Sequence, residues 1–215
     1  MSPQPPLRTL HVAGTPKTML VYDRWGSFGR PVVLLHGLLF DRTMWWPVAA
    51  ELASARCTVI APDLPGHGQS PARDTCRLKS VAAEIARLVD RLGLHRAPVM
   101  VGHASAAPLA TTFGAAYATQ AVVTLDEPPA GTTGLDDLVD AAGLDRVPAA
   151  YRYYARPRRE PELLRAYASW LGKPSTRRNQ PALTGGTRGG PGRPERAFAP
   201  LTDPAGFADQ LRGLL

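Results

Sequence analysis

The sequence predicts an α/β fold: a mostly parallel sheet flanked by helices, with a small helical cap and a shortened C-terminal end. Three observations carry this prediction. Short β-rich runs alternate with helical stretches over the first 130 residues. Continuous apolar runs such as Val32-Val33-Leu34-Leu35 suit strands of a parallel sheet covered on both faces. After Asp126 the alternation stops, giving way first to helical pieces and then to a run rich in Gly and Pro.

Taken in order, residues 18–25, 31–35, 57–61, 98–101 and 121–125 read as strands. Helical patterns fall between them at 43–55, at 79–92, where Val81, Ile85, Leu88, Val89 and Leu92 make an apolar face, and at the alanine-rich 106–117. Three helical pieces follow at 135–142, 148–154 and 160–171, which predicts a cap of residues 128–180 inserted into a core of 1–127 and 181–215. A weak strand signal returns at 181–184, and the run from Gly185 to Pro194 is too rich in Gly and Pro for regular structure. The last helix, 204–214, opens with Pro204 behind Asp203, a good N-cap. The short connection to this helix leaves little room for a last strand, which predicts an exposed sheet edge and a possible homodimer.

The chain has 215 residues with 44% hydrophobic residues, enough for one sizeable core. No apolar run approaches the roughly 18 residues of a membrane span, so an integral membrane protein is excluded as a sequence reading. The N-terminus has neither a basic start before an apolar stretch nor a small-residue cleavage site, and the expected location is cytoplasmic. Cys57, in a predicted buried strand, and Cys76, in a predicted surface loop, are expected to be free thiols, and no Cys/His cluster points to a metal. The net charge of +7 is concentrated late: residues 1–150 hold 13 basic and 13 acidic residues, and 151–215 hold 12 and 5. Without a nucleic-acid motif or an aromatic stacking ladder, this reads as a solvated arginine-rich surface and nucleic acid is not an expected partner.

Three segments carry the chemistry: Leu34-Leu35-His36-Gly37-Leu38-Leu39 after one strand, Asp63-Leu64-Pro65-Gly66-His67-Gly68-Gln69-Ser70 after the next, and Val101-Gly102-His103-Ala104-Ser105-Ala106-Ala107 between a strand and a helix. Together with Asp203-Pro204-Ala205-Gly206-Phe207-Ala208, their order and spacing resemble the α/β-hydrolase superfamily. The resemblance implies a sharp strand-to-helix turn, small-x-nucleophile-x-small, that lifts a nucleophile above the sheet. Gly102 and Ala106 are then the small pair and Ala104 falls at the apex, where the superfamily has its nucleophile. A methyl group cannot attack a carbonyl. Moving the apex to Ser105 would place His103 where a small residue is needed. In the unshifted register the Ser105 N–H is expected to serve as an oxyanion donor while its hydroxyl caps the following helix.

The resemblance also implies a histidine near the C-terminus, but the five histidines are His11, His36, His67, His95 and His103. Aligning Arg196 to Pro204 with the superfamily's Gly-His-x-x-x-x-x-Asp-Pro stretch places Ala197 at that position. Directly after 181–184 the superfamily often has Gly-x-x-Asp, but here the run is Gly185-Gly186-Thr187-Arg188, without a carboxylate. Asp126 stands at the alternative acid position that some relatives use, where aspartate is also a common turn former. His36, Gly37 and Leu38 resemble the oxyanion loop, and Phe40, Met44, Trp45 and Trp46 are candidates to line an apolar pocket.

Loss of a nucleophile or base in triad enzymes costs on the order of 10⁶ in kcat, which argues against efficient serine hydrolysis. The first reading is a non-hydrolytic enzyme performing a cyclisation, elimination or isomerisation of a small apolar metabolite. Its candidate groups are His103, Ser105, Asp126 and the cap tyrosines Tyr151, Tyr153 and Tyr154, and no cofactor or metal is expected. The alternatives are a non-catalytic protein that binds a ligand or partner, a serine ester hydrolase using Ser105, and an inactivated copy of one.

Overall fold

A computed structural model describes residues 8–53, 55–128, 131–132, 134–157, 161–171 and 199–215. Six strands form one sheet: β1 (Arg8–Ala13), β2 (Leu20–Trp25), β3 (Arg30–Leu35), β4 (Cys57–Pro62), β5 (Val99–His103) and β6 (Ala121–Leu125). Their spatial order is β1-β2-β4-β3-β5-β6. The first two pairings are antiparallel, and β4, β3, β5 and β6 run parallel.

The apolar runs sort by alternate residues onto the two faces, as the two-residue repeat of a strand requires. Val32, Leu34, Val59, Ala61, Val99 and Val101 enter one core cluster, while Val33, Leu35, Ile60 and Met100 enter the other. Helices α1 (Trp46–Leu52) and α7 (Pro204–Arg212) cover the first face through Val48, Leu52, Phe207 and Leu211. Helices α2 (Leu78–Arg91) and α3 (Ala107–Ala116) cover the second through Val81, Ile85, Leu88, Leu109 and Phe113. Each such side chain contributes roughly 1.5–3 kcal/mol by leaving water, so burial on both faces fixes the strand order and register.

All five predicted strands are present; β1 is the element the sequence reading lacked. Its large apolar members point outward, Leu10 being 50% and Val12 60% exposed, and only Ala13 at its end enters the core, so the alternation carries little core signal. The turn into β2 depends on Gly14 at φ +105°, where a Cβ would lie 2.5 Å from the Thr18 carbonyl oxygen. The expected helix at 43–55 starts instead as a 3₁₀ turn over Arg42–Trp45, capped by the Asp41 side chain, before α1 begins.

Beyond β6 come α4 (Leu135–Ala141), two 3₁₀ segments at Leu144–Arg146 and Ala149–Ala155, and α5 (Pro161–Ala166). The turns after α5 dock on the core: the Tyr167 hydroxyl donates to the Pro65 carbonyl at 2.8 Å, and Trp170 Nε1 donates to the Cys76 carbonyl at 2.6 Å. Cys76 is therefore buried rather than in a surface loop. Both cysteines are free, and burial pushes the Cys57 thiol up to about 11 and the Cys76 thiol upward. A short helix, α6 (Ala199–Thr202), precedes α7, whose Asp203 side chain accepts from the Gly206 N–H at 3.0 Å, as an N-cap should. The run 181–184 and Ala197 lie outside the described residues.

Candidate functional site

At the end of β5 the backbone reverses at Ala104, which adopts φ +50°, then passes through a 3₁₀ turn (Ala104–Ala106) into α3. A left-handed alanine costs roughly 1–2 kcal/mol, which the surrounding packing must offset. Gly102 makes the turn possible: a Cβ there would meet the Ala106 carbonyl oxygen and Ala110 Cβ, both at 2.8 Å. The left-handed residue is Ala104 and not Ser105.

Opposite this elbow lies the loop after β3. A Cβ on Gly37 would lie 3.1 Å from Ala104 Cβ and 3.3 Å from His103 Nδ1, so Gly37 lets the two segments approach. The Leu38 N–H donates to Ser105 Oγ at 2.8 Å. The Ser105 hydroxyl therefore makes no helix cap; it occupies the Leu38 N–H of the segment that resembles the oxyanion loop.

His103 is fully buried, and its Nε2 lies 3.3 Å from Asp126 Oδ2. Phe40 and Trp45 face the imidazole edge-on, with ring centroids 5.6 and 6.2 Å away. Asp126 follows the last residue of β6 and is itself left-handed, at φ +50°. His103, Ala104, Ser105 and Asp126 thus share one cavity wall with Gly37, Leu38 and Phe40. The cavity measures about 10 Å³, room for roughly one water molecule. Pro128, Leu138 and Ala142 close it from the cap side. The sequence reading did not single out these three; the apolar spacing of 135–142 was the available signal.

Four candidate residues, His36, Met44, Trp45 and Trp46, do not line this cavity; Met44 is in the core, and Trp46 donates to Asp23. Trp45 is wholly buried and meets His103 from behind the cavity wall. His36 is turned away: its Nε2 accepts from the Leu64 N–H at 3.0 Å, which leaves Nδ1–H to donate to the Gly37 carbonyl at 2.9 Å. Burial, reinforced by repulsion from His67, lowers its pKa to about 3, so it stays neutral and ties the Gly37 loop to the loop after β4. His67 Nε2 lies 2.9 Å from the Leu38 carbonyl oxygen and braces the same loop. Among the cap tyrosines, Tyr153 is exposed beneath the Arg156 guanidinium and Tyr154 packs near Trp46; none lines the cavity.

A second polar cluster lies on the β4 side. Asp63 accepts from the Arg42 N–H at 2.9 Å and the Gln69 N–H at 2.8 Å and pairs with the Arg42 guanidinium. Arg42 Nε lies 3.1 Å from Asp23 Oδ2, which also accepts from Trp46 Nε1 at 2.8 Å, while Arg8 pairs with Asp23 Oδ1 at 2.8 Å. Burial pushes the Asp63 carboxyl upward against the opposing pull of Arg42. Among the described residues no group of His, Cys, Asp and Glu is placed to hold a metal ion, and no helix is long and apolar enough to cross a membrane.

Comparison with known proteins agrees with this architecture. A family model described as alpha/beta hydrolase fold matches residues 30–193. Over 83 residues the chain is 41% identical to the dihydrolipoyllysine-residue acetyltransferase component of the acetoin cleaving system of Cupriavidus necator, covering 38% of this chain and 22% of that protein. Over 122 residues it is 34% identical to the magnesium-chelatase 30 kDa subunit of Rhodobacter capsulatus, covering 56% and 39%. The matches thus span well under half the length of these curated relatives. Among solved structures, a thermophilic esterase from Thermogutta terrifontis superposes with a TM-score of 0.58 at 21% identity, over 73% of this chain and 68% of that one. An epoxide hydrolase, CorEH, superposes with a TM-score of 0.55 at 23% identity, over 76% and 72%. At these identities the structural likeness concerns the fold alone. With the family match covering most of its length, the chain belongs to the α/β hydrolase fold family.

Proposed function

We propose that this chain does not perform serine-type hydrolysis and that its elbow site acts on a small apolar metabolite by non-covalent acid–base chemistry, as in a cyclisation, elimination or isomerisation. The observation that carries the reading is the buried contact of His103 Nε2 with Asp126 Oδ2 at 3.3 Å, beside an apex residue that has only a methyl group. A carboxylate next to an imidazole orients the ring, and an oriented imidazole is a suitable general acid–base group. Ala104 occupies the nucleophile's position and Ala197 that of the usual histidine. Ser105, with its oxygen held by the Leu38 N–H, is a polar wall group rather than a nucleophile. Admitting a substrate requires the Pro128, Leu138 and Ala142 side of the cavity to move.

A second reading, a ligand-binding protein without catalysis, is favoured by the cavity of about 10 Å³ and the self-occupied Leu38 N–H. The test is a binding and turnover screen against aryl esters and small apolar compounds, run beside a fluorophosphonate probe for activated serines. Expected are no labelling of Ser105 and no gain of aryl-ester turnover in Ala104→Ser, because Ala197 stands where the superfamily has the histidine that activates its nucleophile. Labelling at Ser105, or robust turnover by Ala104→Ser, overturns the assignment. Turnover lost in both His103→Gln and Asp126→Asn supports the enzyme, and saturable binding without turnover supports the second reading.

A further inference from the structure

A second and larger cavity lies at the opposite end of the sheet. It is a groove of about 530 Å³ bounded by the C-terminal half of α2, residues 94–98 and the end of α3. That volume falls within the roughly 300–1,000 Å³ of small-molecule sites. Pro31 and Pro98, which border the groove, precede the buried runs of β3 and β5, whereas the elbow follows the end of β5. The five residues of β5 therefore separate the two cavities by roughly 15 Å.

The floor is apolar. Phe113 is buried, the Tyr117 ring packs against it with centroids 5.0 Å apart, and Val89 and Leu94 extend the surface. The charged and titratable groups facing the groove are Arg87, Asp90, His95 and Arg96, all exposed. Gly93 and His95 are left-handed, at φ 63° and 48°, and this double turn carries His95 and Arg96 to the rim. Neither Arg87 nor Arg96 has an ion-pair partner among the described residues. Two arginines against one aspartate leave one net positive charge beside an aromatic floor. A guanidinium presents a planar fork of donors that matches a carboxylate.

We propose that this groove binds a small amphipathic carboxylate, its apolar body on the Phe113 and Tyr117 floor and its charge at the Arg87 and Arg96 rim. A single negative charge matches the rim, and a cationic amphiphile of the same length is repelled. Because the rim is exposed, the binding weakens as salt screens it.

The experiment is titration of the full chain with sodium octanoate, followed by calorimetry and by backbone amide shifts. Expected is saturable binding with a Kd of about a millimolar or tighter, with shifts confined to residues 83–98 and 113–118. Arg87→Gln with Arg96→Gln should weaken it by about tenfold, and Arg87→Glu with Arg96→Glu should weaken it further, by the logic of charge complementarity. Both sites are exposed, so unchanged amide spectra elsewhere establish folding. Absence of saturation up to about 10 mM, equal binding of octyltrimethylammonium, indifference to both double variants, or shifts clustered at 37–40 and 103–105 would each overturn the proposal.

Discussion

Asp63 and Asp126 each follow a parallel strand of the same sheet, yet their surroundings differ in kind. Asp63 is held by two backbone N–H groups and a guanidinium, within a cluster that also neutralises Asp23. Asp126 sits on a left-handed backbone, with its buried Oδ2 opposite His103 but without hydrogen-bond geometry. A polar cluster whose charges and hydrogen bonds are met holds loops in place. A cluster with backbone strain and a loosely met carboxylate, set in a cavity wall, is the kind that serves chemistry. Under the proposed function the difference separates a structural acid from a working one, although both are Asp at a strand end.

Mutations at the two acids can break that comparison. Asp63→Ala leaves Arg42 buried without one of its two carboxylates and should cost about 3–5 kcal/mol, read as a lower midpoint in urea unfolding. Asp126→Ala should cost less than about 1 kcal/mol; equal losses at the two sites would erase the distinction.

The next largest effect comes with acid, through His36. Its folded pKa of about 3 lies below the unfolded value of 6.5. Below pH 6.5 the unfolded chain takes up a proton that the folded chain refuses, so stability is full above 6.5 and falls as pH drops toward 3. The slope is roughly 1.4 kcal/mol per pH unit for one proton. Unfolding free energies measured from pH 7 to pH 4 should show this slope in the wild type and lose about one proton of it in His36→Gln.

Two smaller tests concern the elbow. Gly102→Ala drives a methyl into the Ala106 carbonyl and Ala110 and should cost about 1–3 kcal/mol. Ala104→Gly relieves the left-handed alanine and should raise stability by about 1 kcal/mol in the same urea assay. A loss at Ala104→Gly would mean that the alanine methyl packs more favourably against Gly37 than its backbone is strained.

Much of this was legible in the residue pattern. The apolar doublets of β3, β4 and β5 and the amphipathic face of α2 state where the core is, because burial leaves period-two and period-3.6 traces. β1 left no such trace, since Leu10 and Val12 face solvent and the strand is held by backbone pairing to β2. Cys76 read as a surface loop residue because nothing local shows that Tyr167 and Trp170 come back to cover its region. Phe40 lines the cavity beside the elbow, whereas His36 and Trp45 pack behind it.

The sequence by itself determined the α/β order of elements, the small residues that permit a sharp turn after β5, and a methyl at its apex. Those properties reside in single residues and short windows, where sterics and burial act locally. Only the tertiary structure decided that Ser105 holds the Leu38 N–H, that His103 meets Asp126, and that the cap leaves room for one water. These contacts join residues 23 to 67 positions apart, and their geometry is fixed by how strands and helices pack rather than by any one segment's preference.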